Sequence, residues 1–394
     1  MPRPWRAPCW RGMRCEAVLA AALVASAAAE PAMRRPAGVA FIHRHPFRAT
    51  QPTFNAKVTR IVLDVVVRGR DHKPIPDLEA KDFEVLEDGR ARPLSSFEEV
   101  RMPASIAGPR TNVGPELQAG VPASVDVPTV AVIFEELGPE ARRLARQAAV
   151  SLVNGASPIR AGVFVLRNGL EQVHPLTLDR DALRRAIDAA AERPGCPVFE
   201  SHLGHRQAQM TACSPAGESQ MHRQRGVNTF AGLTAVVDAL AGFRGRKSVA
   251  LFSEGLDLTS GARGQFGDDR RSRFEALIAR ASEANVAFYT FDAAGLRLHT
   301  TATGQLMEEP RAGLSLLARE TGGAFADGSN GLRPAVARMW ADMQHYYLLS
   351  FDSDRDVTGS SVRVRVRVKV RGATVLVRDR YGRAPAGAQP GSVP

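Results

Sequence analysis

The stretch TVAVIFEELGPEARRLARQAAVSLV, residues 129–153, decides the fold class of this chain. Its first part is a short apolar run rich in β-branched residues, which is typical of a buried strand. The part after Pro139 has the apolar spacing of an amphipathic helix. In α/β sheets, ligands bind at the carboxyl ends of such strands. Glu135 and Glu136 lie at that end, so this position is the first place to look for a site.

The same strand–helix rhythm continues as far as residue 343. The pattern predicts further strands at 161–167, 170–176, 247–253, 286–291 and 323–326, and helices at 139–154, 179–191, 229–242, 270–284, 311–320 and 331–343. Such alternation predicts an α/β fold with a doubly wound, mostly parallel sheet and helices on both of its faces.

Segments of β character flank this central part. Residues 57–100 contain β-branched runs and a hairpin signal at Asp88-Gly89. In SVRVRVRVKVRG, residues 361–372, valines and cations alternate with period two. Each flank has too few strands to bury an apolar face alone, so we predict that 57–100 and 344–381 pack as one β-sandwich.

These patterns divide the chain into seven parts. We predict a signal peptide (1–29), a disordered leader (30–56), the first part of the sandwich (57–100), a linker (101–127), the α/β domain (128–343), the second part of the sandwich (344–381) and a disordered tail (382–394).

The first residues are typical of an export signal. A basic residue follows Met13, residues 17–29 are apolar, and small residues precede Glu30. We therefore expect a periplasmic or extracellular protein whose translation starts at Met1 or at Met13. The only cysteines after this segment are Cys196 and Cys213, and an oxidising compartment favours a disulfide between them. Two unpaired thiols are the alternative.

The composition argues against nucleic acid and a lipid bilayer as partners. The chain has 394 residues and a net charge of +11, but its arginines are scattered and aromatic residues make up 6%. Scattered arginines and few aromatic residues argue against the combined basic and aromatic surface typical of nucleic-acid binding. No apolar run is long enough to span a membrane. The sequence does not indicate an oligomeric state.

Several stretches, in the same order, resemble the von Willebrand factor A-like family of bacteria, especially its acidobacterial-type group. The matching stretches are VVVRGRDHKPIPDLEAKDFEVLEDGRARPLSSFEE, TVAVIFEELG, LTLDRDALRRAI, GRKSVALFSEGLD, ALIARASEANVAFYTFDAAGL, LARETGGAFA and YYLLSFDS, within residues 57–381. The resemblance implies a doubly wound A domain and, commonly, a divalent ion at the carboxyl edge of its sheet.

In that family the ion is held by a D-x-S-x-S motif, a Thr in a second loop and an Asp in a third. Here Glu135 replaces the Asp, and Leu137 and Pro139 replace the two Ser. Asn228 and Thr229 remain in the second loop, and Glu254 or Asp257 stands for the third ligand. The departures imply a degenerate site with no cofactor. The alternative is Mg²⁺ or Ca²⁺ held by Glu135, Thr229 and Glu254.

Enzyme motifs are missing from the sequence. Ser253 lacks the glycine of a nucleophile elbow, because Leu251 lies at that position, and no phosphate-binding loop is present. Asp292 also ends a strand, but we expect it to hydrogen-bond a helix N-terminus or a loop rather than a ligand. The cationic side of 363–371 indicates a solvated face or a protected sheet edge, with an anion-binding face as the alternative.

One irregular segment mixes cysteine and histidine. It contains Cys196, His202, His205, Cys213 and His222, whose spacing matches no familiar zinc motif. We interpret it as a surface loop closed by the disulfide, with zinc as the alternative.

These observations predict a non-enzymatic, exported protein that binds another protein or an envelope polymer through loops at the carboxyl edge of the sheet. The candidate contact residues are Glu135, Glu136, Asn228, Thr229, Glu254 and Asp257. The alternatives are a cation-dependent adhesion module and, third, a hydrolase.

Overall fold

The computed structural model describes residues 59–102, 127–155, 157–167, 169–192, 218–256, 258, 267–295, 309–327, 331–355 and 361–382. The chain divides into two units, Met1–Phe54 and Asn55–Pro394, and every described residue belongs to the second. The predicted signal peptide, leader, disulfide and zinc alternative, most of the linker and nearly all of the tail lie outside the described residues.

A six-stranded sheet forms the centre of this unit. Its strands are β5 (Thr129–Glu135), β6 (Arg160–Leu166), β7 (Leu170–Thr177), β8 (Lys247–Ser253), β9 (Val286–Asp292) and β10 (Phe325–Ala326). Their order across the sheet is β10-β9-β8-β5-β6-β7. All neighbours run parallel except β6 and β7. This is the doubly wound order, with β5 and β8 adjacent at the point where the winding reverses. The predicted fold class is confirmed.

Six helices cover both faces of the sheet. They are α1 (Pro139–Val153), α2 (Arg180–Glu192), α3 (Glu218–Ala241), α4 (Gly267–Ala284), α5 (Glu309–Thr321) and α6 (Leu332–Gln344). One hydrophobic cluster joins α1, α2 and α6 to one face of the sheet, and Leu152 and Met339 are among its fully buried residues. A second cluster joins α3, α4 and α5 to the other face, around residues such as Leu233 and Leu277.

Most predicted boundaries differ from the structure by one to three residues, and one differs by more. The helix expected to begin at residue 229 is part of α3, which begins at Glu218, so Asn228 and Thr229 lie in a helix rather than in a loop. The strand expected at 323–326 is shortened to β10. It follows Gly322, which has a φ of +79°, and Gly323, where an added Cβ would lie 1.9 Å from the Phe288 carbonyl oxygen.

The flanking segments form a β-sandwich from both ends of the described chain. The first contributes β1 (Thr59–Arg68), β2 (Phe83–Glu87), β3 (Arg90–Arg92) and β4 (Leu94–Arg101), and the second contributes β11 (His345–Ser353), β12 (Val362–Val368), β13 (Thr374–Leu376) and β14 (Arg380–Tyr381). The two sheets have the orders β13-β1-β11-β4 and β14-β12-β2-β3, so each contains strands from both flanks. The predicted composite sandwich is confirmed.

Local chemistry explains the strands of this sandwich. Asp88 and Gly89 both have positive φ, +45° and +82°, as a tight hairpin turn between β2 and β3 requires. Pro93, which has no N–H to donate, separates β3 from β4, and these two strands join different sheets. In β12, Val364 and Val366 are buried while the intervening cations are exposed, as the alternation predicted.

A buried polar network joins the sandwich to the α/β domain. The Arg68 guanidinium at the end of β1 donates two hydrogen bonds to the Asp342 carboxylate of α6, one of them 2.7 Å from Nε to Oδ1. The Tyr289 hydroxyl donates to Asp342 Oδ2 at 2.8 Å and accepts from Arg246 Nη2 at 3.1 Å. Arg246 Nη1 lies 3.9 Å from Asp64 Oδ2 of β1. Buried charged side chains therefore join the sandwich to the α/β domain, in addition to the covalent connections between them.

Candidate functional site

The candidate site lies where β5 and β8 end side by side. Residues 129–134 of β5 pair with 247–252 of β8, so Glu135 and Ser253 come next to each other at the carboxyl edge. Glu136 follows β5, and Glu254 follows β8. Three carboxylates therefore lie at the carboxyl edge, beside the crevice where the strand order reverses. Doubly wound sheets bind ligands at this switch point. We call this part of the sheet edge, formed by 135–138 and 253–256 with Thr229, the rim.

Glu135 is the most unusual residue of the rim. Its Oε1 accepts a hydrogen bond from the Thr229 hydroxyl at 3.1 Å. Its Oε2 is buried and has no hydrogen-bond partner among the described residues. Burial raises the pKa of Glu135 to about 7, the Ser253 and Thr229 hydroxyls act to lower that pKa, and the Glu136 carboxylate acts to raise it. Near neutral pH this carboxyl group therefore exists in both protonation states.

Glu254 has a structural partner. Its Oε1 accepts a hydrogen bond from the Gly138 N–H at 2.8 Å, and Gly138 is the N-cap residue of α1. The carboxylate thus takes up a backbone donor at the positive end of the helix dipole. A side chain at Gly138 would place its Cβ only 3.0 Å from that oxygen, so glycine leaves room for this contact. Glu254, which follows β8, therefore caps the N-terminus of α1.

Glu136 has a backbone conformation that non-glycine residues rarely adopt. Its φ is +28°, and its N–H donates to the Leu166 carbonyl oxygen at 3.1 Å. Its side chain is half-buried. Positive φ in a residue with a Cβ costs about 1–2 kcal/mol, and such residues occur often at functional sites. Sequence patterns give no signal for this strain, because Glu is not a residue that favours positive φ.

The structure brings together only part of the predicted set. Glu135 and Thr229 are in contact, and Glu254 lies at the same edge but caps α1. Asn228 is half-buried in α3 beside Thr229. Asp257 lies outside the described residues. Among the described residues, no group of three or more His, Cys, Asp or Glu side chains could hold a metal ion.

Two neighbours complete the edge. Asp292, at the end of β9, lies 2.8 Å from Arg311 Nε of α5 through its Oδ2 and accepts the Ala294 N–H through its Oδ1. The bond from Ala294 agrees with the expectation of a helix N-terminus or a loop as the partner of Asp292; the pairing with the Arg311 side chain had no signal in the sequence. The Ser253 hydroxyl accepts from the Gly255 N–H at 3.0 Å and donates to the Gly255 carbonyl at 3.1 Å, which closes a turn.

In the ranges that the structure describes, no helix combines the length and the apolar character that crossing a bilayer requires.

No protein-family model and no curated protein matches the sequence. Solved structures with similarity include a von Willebrand factor type A protein from Catenulispora acidiphila, at 13% identity and a TM-score of 0.35 over 75% of each chain. The manganese-loaded TRAP protein of Plasmodium vivax is 10% identical, with a TM-score of 0.31 over 73% of this chain and 98% of that one. An aerotolerance-related membrane protein from Bacteroides fragilis is 10% identical, with a TM-score of 0.31 over 54% and 98%.

Similarities at this level of identity carry no information about function. The strand order of the structure itself identifies the fold. The sheet has the doubly wound order, one antiparallel edge strand and helices on both faces, as the resemblance noted in the sequence implies. The central domain of this chain has a von Willebrand factor A-like fold.

Proposed function

We propose that this chain is an exported, non-enzymatic binding protein whose rim binds another protein or an envelope polymer. The observation that carries the proposal is Glu136, held at a φ of +28° at the carboxyl end of β5. Strain of this kind persists where the surrounding structure imposes it, and it occurs at ligand-contacting positions. The other contact candidates are Glu135, Asn228, Thr229, Glu254 and Asp257.

The rim residues do not fit a Mg²⁺ cage. Mg²⁺ requires near-octahedral oxygen ligands, and the positions of the two family hydroxyls hold the apolar Leu137 and Pro139. Glu254 Oε1 is already used by the Gly138 N–H. Burial also favours the neutral form of Glu135, which is the poorer ligand for a cation. We therefore infer that the ion site is degenerate and that the rim acts without a metal.

A cation-dependent adhesion module is the second candidate, and one observation favours it. Glu135 Oε2 is buried without a hydrogen-bond partner among the described residues, and a cation held with Thr229 and Glu254 would satisfy that oxygen. Calorimetric titration of the full chain with MgCl₂ and with CaCl₂ separates the two candidates. We expect the full chain and the Glu135→Gln variant to give the same heat, without saturable binding of either ion. Saturable binding by the full chain that Glu135→Gln abolishes would establish the cation-dependent module.

The binding proposal is tested by affinity capture from an envelope fraction, with and without a chelator. The full chain is compared with Glu136→Arg at the rim and with Glu98→Arg on the exposed side of β4 as the matched control. We expect a captured component that Glu136→Arg loses, that Glu98→Arg retains and that the chelator does not release. Equal capture by all three proteins would contradict a role of the rim.

The third candidate, a hydrolase, predicts a reactive serine. The hydrogen bonds of Ser253 with Gly255 place its hydroxyl in a turn, so we expect a fluorophosphonate serine probe to leave it unlabelled. Labelling that Ser253→Ala removes would overturn the non-enzymatic assignment.

A further inference from the structure

The outer face of the sheet β14-β12-β2-β3 carries a row of cations. In β12 the side chains of Arg363, Arg365 and Arg367 are exposed, while the valines between them are buried in the sandwich. Alternate residues of a strand lie about 6.6–6.8 Å apart on one face. Lys369 beyond the strand and Arg380 in β14 are also exposed. We call these five residues the arginine face.

The pairing of β12 with β14 places like charges opposite each other. Arg363 and Arg380 are direct cross-strand partners in an antiparallel ladder, so their side chains leave the same face. Like charges at opposite positions destabilise a sheet. The fold retains this pair beside Arg365, the next cation on the same side of β12. A bound anion would offset the repulsion.

Carboxylates on this face are too few to neutralise it. Arg367 Nη1 lies 3.5 Å from Glu84 Oε2, and Arg380 Nε lies 3.7 Å from Glu320 Oε2. The neighbouring Asp379 lies 3.9 Å from Arg319, a sixth cation, and its carboxylate also interacts electrostatically with Arg363 and Arg365 at longer range. For Arg363 and Arg365, no carboxylate of the described residues lies within ion-pair distance. Arg365 lies opposite the apolar Leu86.

Protection of a sheet edge does not account for the whole row. β12 is an inner strand with β14 on one side and β2 on the other. β14 pairs with Val362 and Arg363, and the Val364 N–H donates to the Asp379 carbonyl oxygen at 2.8 Å. Edge protection therefore applies to the residues beyond Val364, on one side. The cross-strand pair Arg363–Arg380 lies where β12 is covered, so edge protection does not explain it.

We propose that the arginine face binds a linear acidic polysaccharide, at a site separate from the rim. Regularly spaced guanidinium groups match repeating sulfate or carboxylate groups, which they bind by charge-assisted hydrogen bonds. The cross-strand neighbours on this face, Glu84, Leu86 and Ala91, are not aromatic, whereas single-stranded nucleic acid binds by stacking on aromatic rings. A membrane surface would engage exposed apolar side chains. The large exposed apolar residues of the described chain, Val62 and Leu178, lie on other strands and loops.

The test uses the full chain and measures its affinity for dextran sulfate and for polygalacturonate across a salt series, with neutral dextran as the uncharged control. The face variant is Arg363→Gln/Arg365→Gln/Arg367→Gln. The matched control is Arg143→Gln/Arg184→Gln/Arg271→Gln, which removes the same charge from exposed helix positions. We expect the face variant to lose about tenfold or more in affinity, because it lacks three guanidinium groups that bind anions by charge-assisted hydrogen bonds. The control should lose less than about twofold.

The single variant Arg365→Gln tests the proposal even if the triple variant does not fold. Arg365 is exposed and pairs with no carboxylate of the described residues, so its replacement should leave the thermal unfolding transition unchanged and still weaken binding. Equal weakening by the face and control variants would show that net charge alone binds the polymer and would overturn the proposal. Binding of a single-stranded oligothymidylate as tight as that of dextran sulfate would also overturn it.

Discussion

At the scale of single residues, Glu135 shows how burial changes a carboxyl group. Its position at the end of β5 was predictable, because a short apolar run followed by helical periodicity fixes where the strand ends. Its contact with Thr229 was not predictable in detail, because it depends on how α3 packs over the strand. Its raised pKa follows from that packing, and no local pattern reveals burial of this kind.

The pKa of Glu135 predicts a pH dependence of stability. The folded state holds the proton up to about pH 7, whereas the unfolded chain releases it near 4.5. The stabilising contribution is therefore complete below pH 4.5 and is lost as the pH rises to about 7, by roughly 3 kcal/mol at most. Urea unfolding at pH 5 and pH 7.5, with a chelator present, measures this loss.

Glu135→Gln should remove this part of the pH dependence, while Glu98→Gln, on the exposed side of β4, should leave it unchanged. A wild-type stability that rises between pH 5 and pH 7.5 to the same extent in all three proteins would contradict the assignment.

At the scale of elements, the helices and strands were predicted better than their boundaries. Asn228 and the nearby Gly226 have low helix propensity, which favoured a loop before residue 229. Burial of Phe230 and Leu233 against the sheet provides a larger free energy than these propensities, and α3 begins at Glu218. Beyond Gly372 the chain forms two short strands, β13 and β14, which join different sheets.

The cap of α1 by Glu254 gives a prediction at this scale. Glu254→Ala removes a hydrogen bond to a charged acceptor and a favourable dipole interaction, so we expect a loss of about 1–3 kcal/mol in the free energy of unfolding. Glu254→Gln keeps an acceptor oxygen and should lose less. Urea denaturation measures both, with Glu140→Ala in the exposed first turn of α1 as the comparison. A loss for Glu140→Ala as large as that for Glu254→Ala would refute the cap.

At the scale of the whole molecule, the sandwich and the α/β domain meet at a buried ion pair. The Arg68 side chain is 8% exposed and the Asp342 side chain is fully buried. Removing one partner leaves the other charge buried and unpaired, which typically costs about 3–5 kcal/mol. No sequence pattern pairs residues so far apart, so this contact could not be predicted, although the composite sandwich could.

We expect Arg68→Met to lower the free energy of unfolding by about 3 kcal/mol or more, and Arg68→Met/Asp342→Leu to recover most of that loss. Equilibrium unfolding of the full chain measures both variants. If Arg68→Met/Asp342→Leu is less stable than Arg68→Met, so that the second substitution adds a loss of its own, the two side chains do not act as a pair.

The shared sheets predict how fragments behave. Residues 128–343 contain the complete six-stranded sheet, and we expect them to fold alone as an α/β domain. Residues 344–394 lack β1 and β2, the partners of β11 and β12, so they should be unfolded alone and gain β structure only when 57–100 are added. Circular dichroism of the separate and mixed fragments measures this. A folded, monomeric 344–394 fragment would contradict the composite sandwich.

The same topology dictates an order of events during synthesis. Arg60 of β1 pairs with Asp352 of β11, which lies 292 residues further along the chain. At roughly 5–20 residues per second, a ribosome needs about 15–60 s to reach the second strand after the first. Throughout that interval β1 has neither of its neighbours, because β11 and β13 both come from the C-terminal flank. The nascent chain therefore carries apolar strands whose hydrogen-bonding edges stay open for most of its translation.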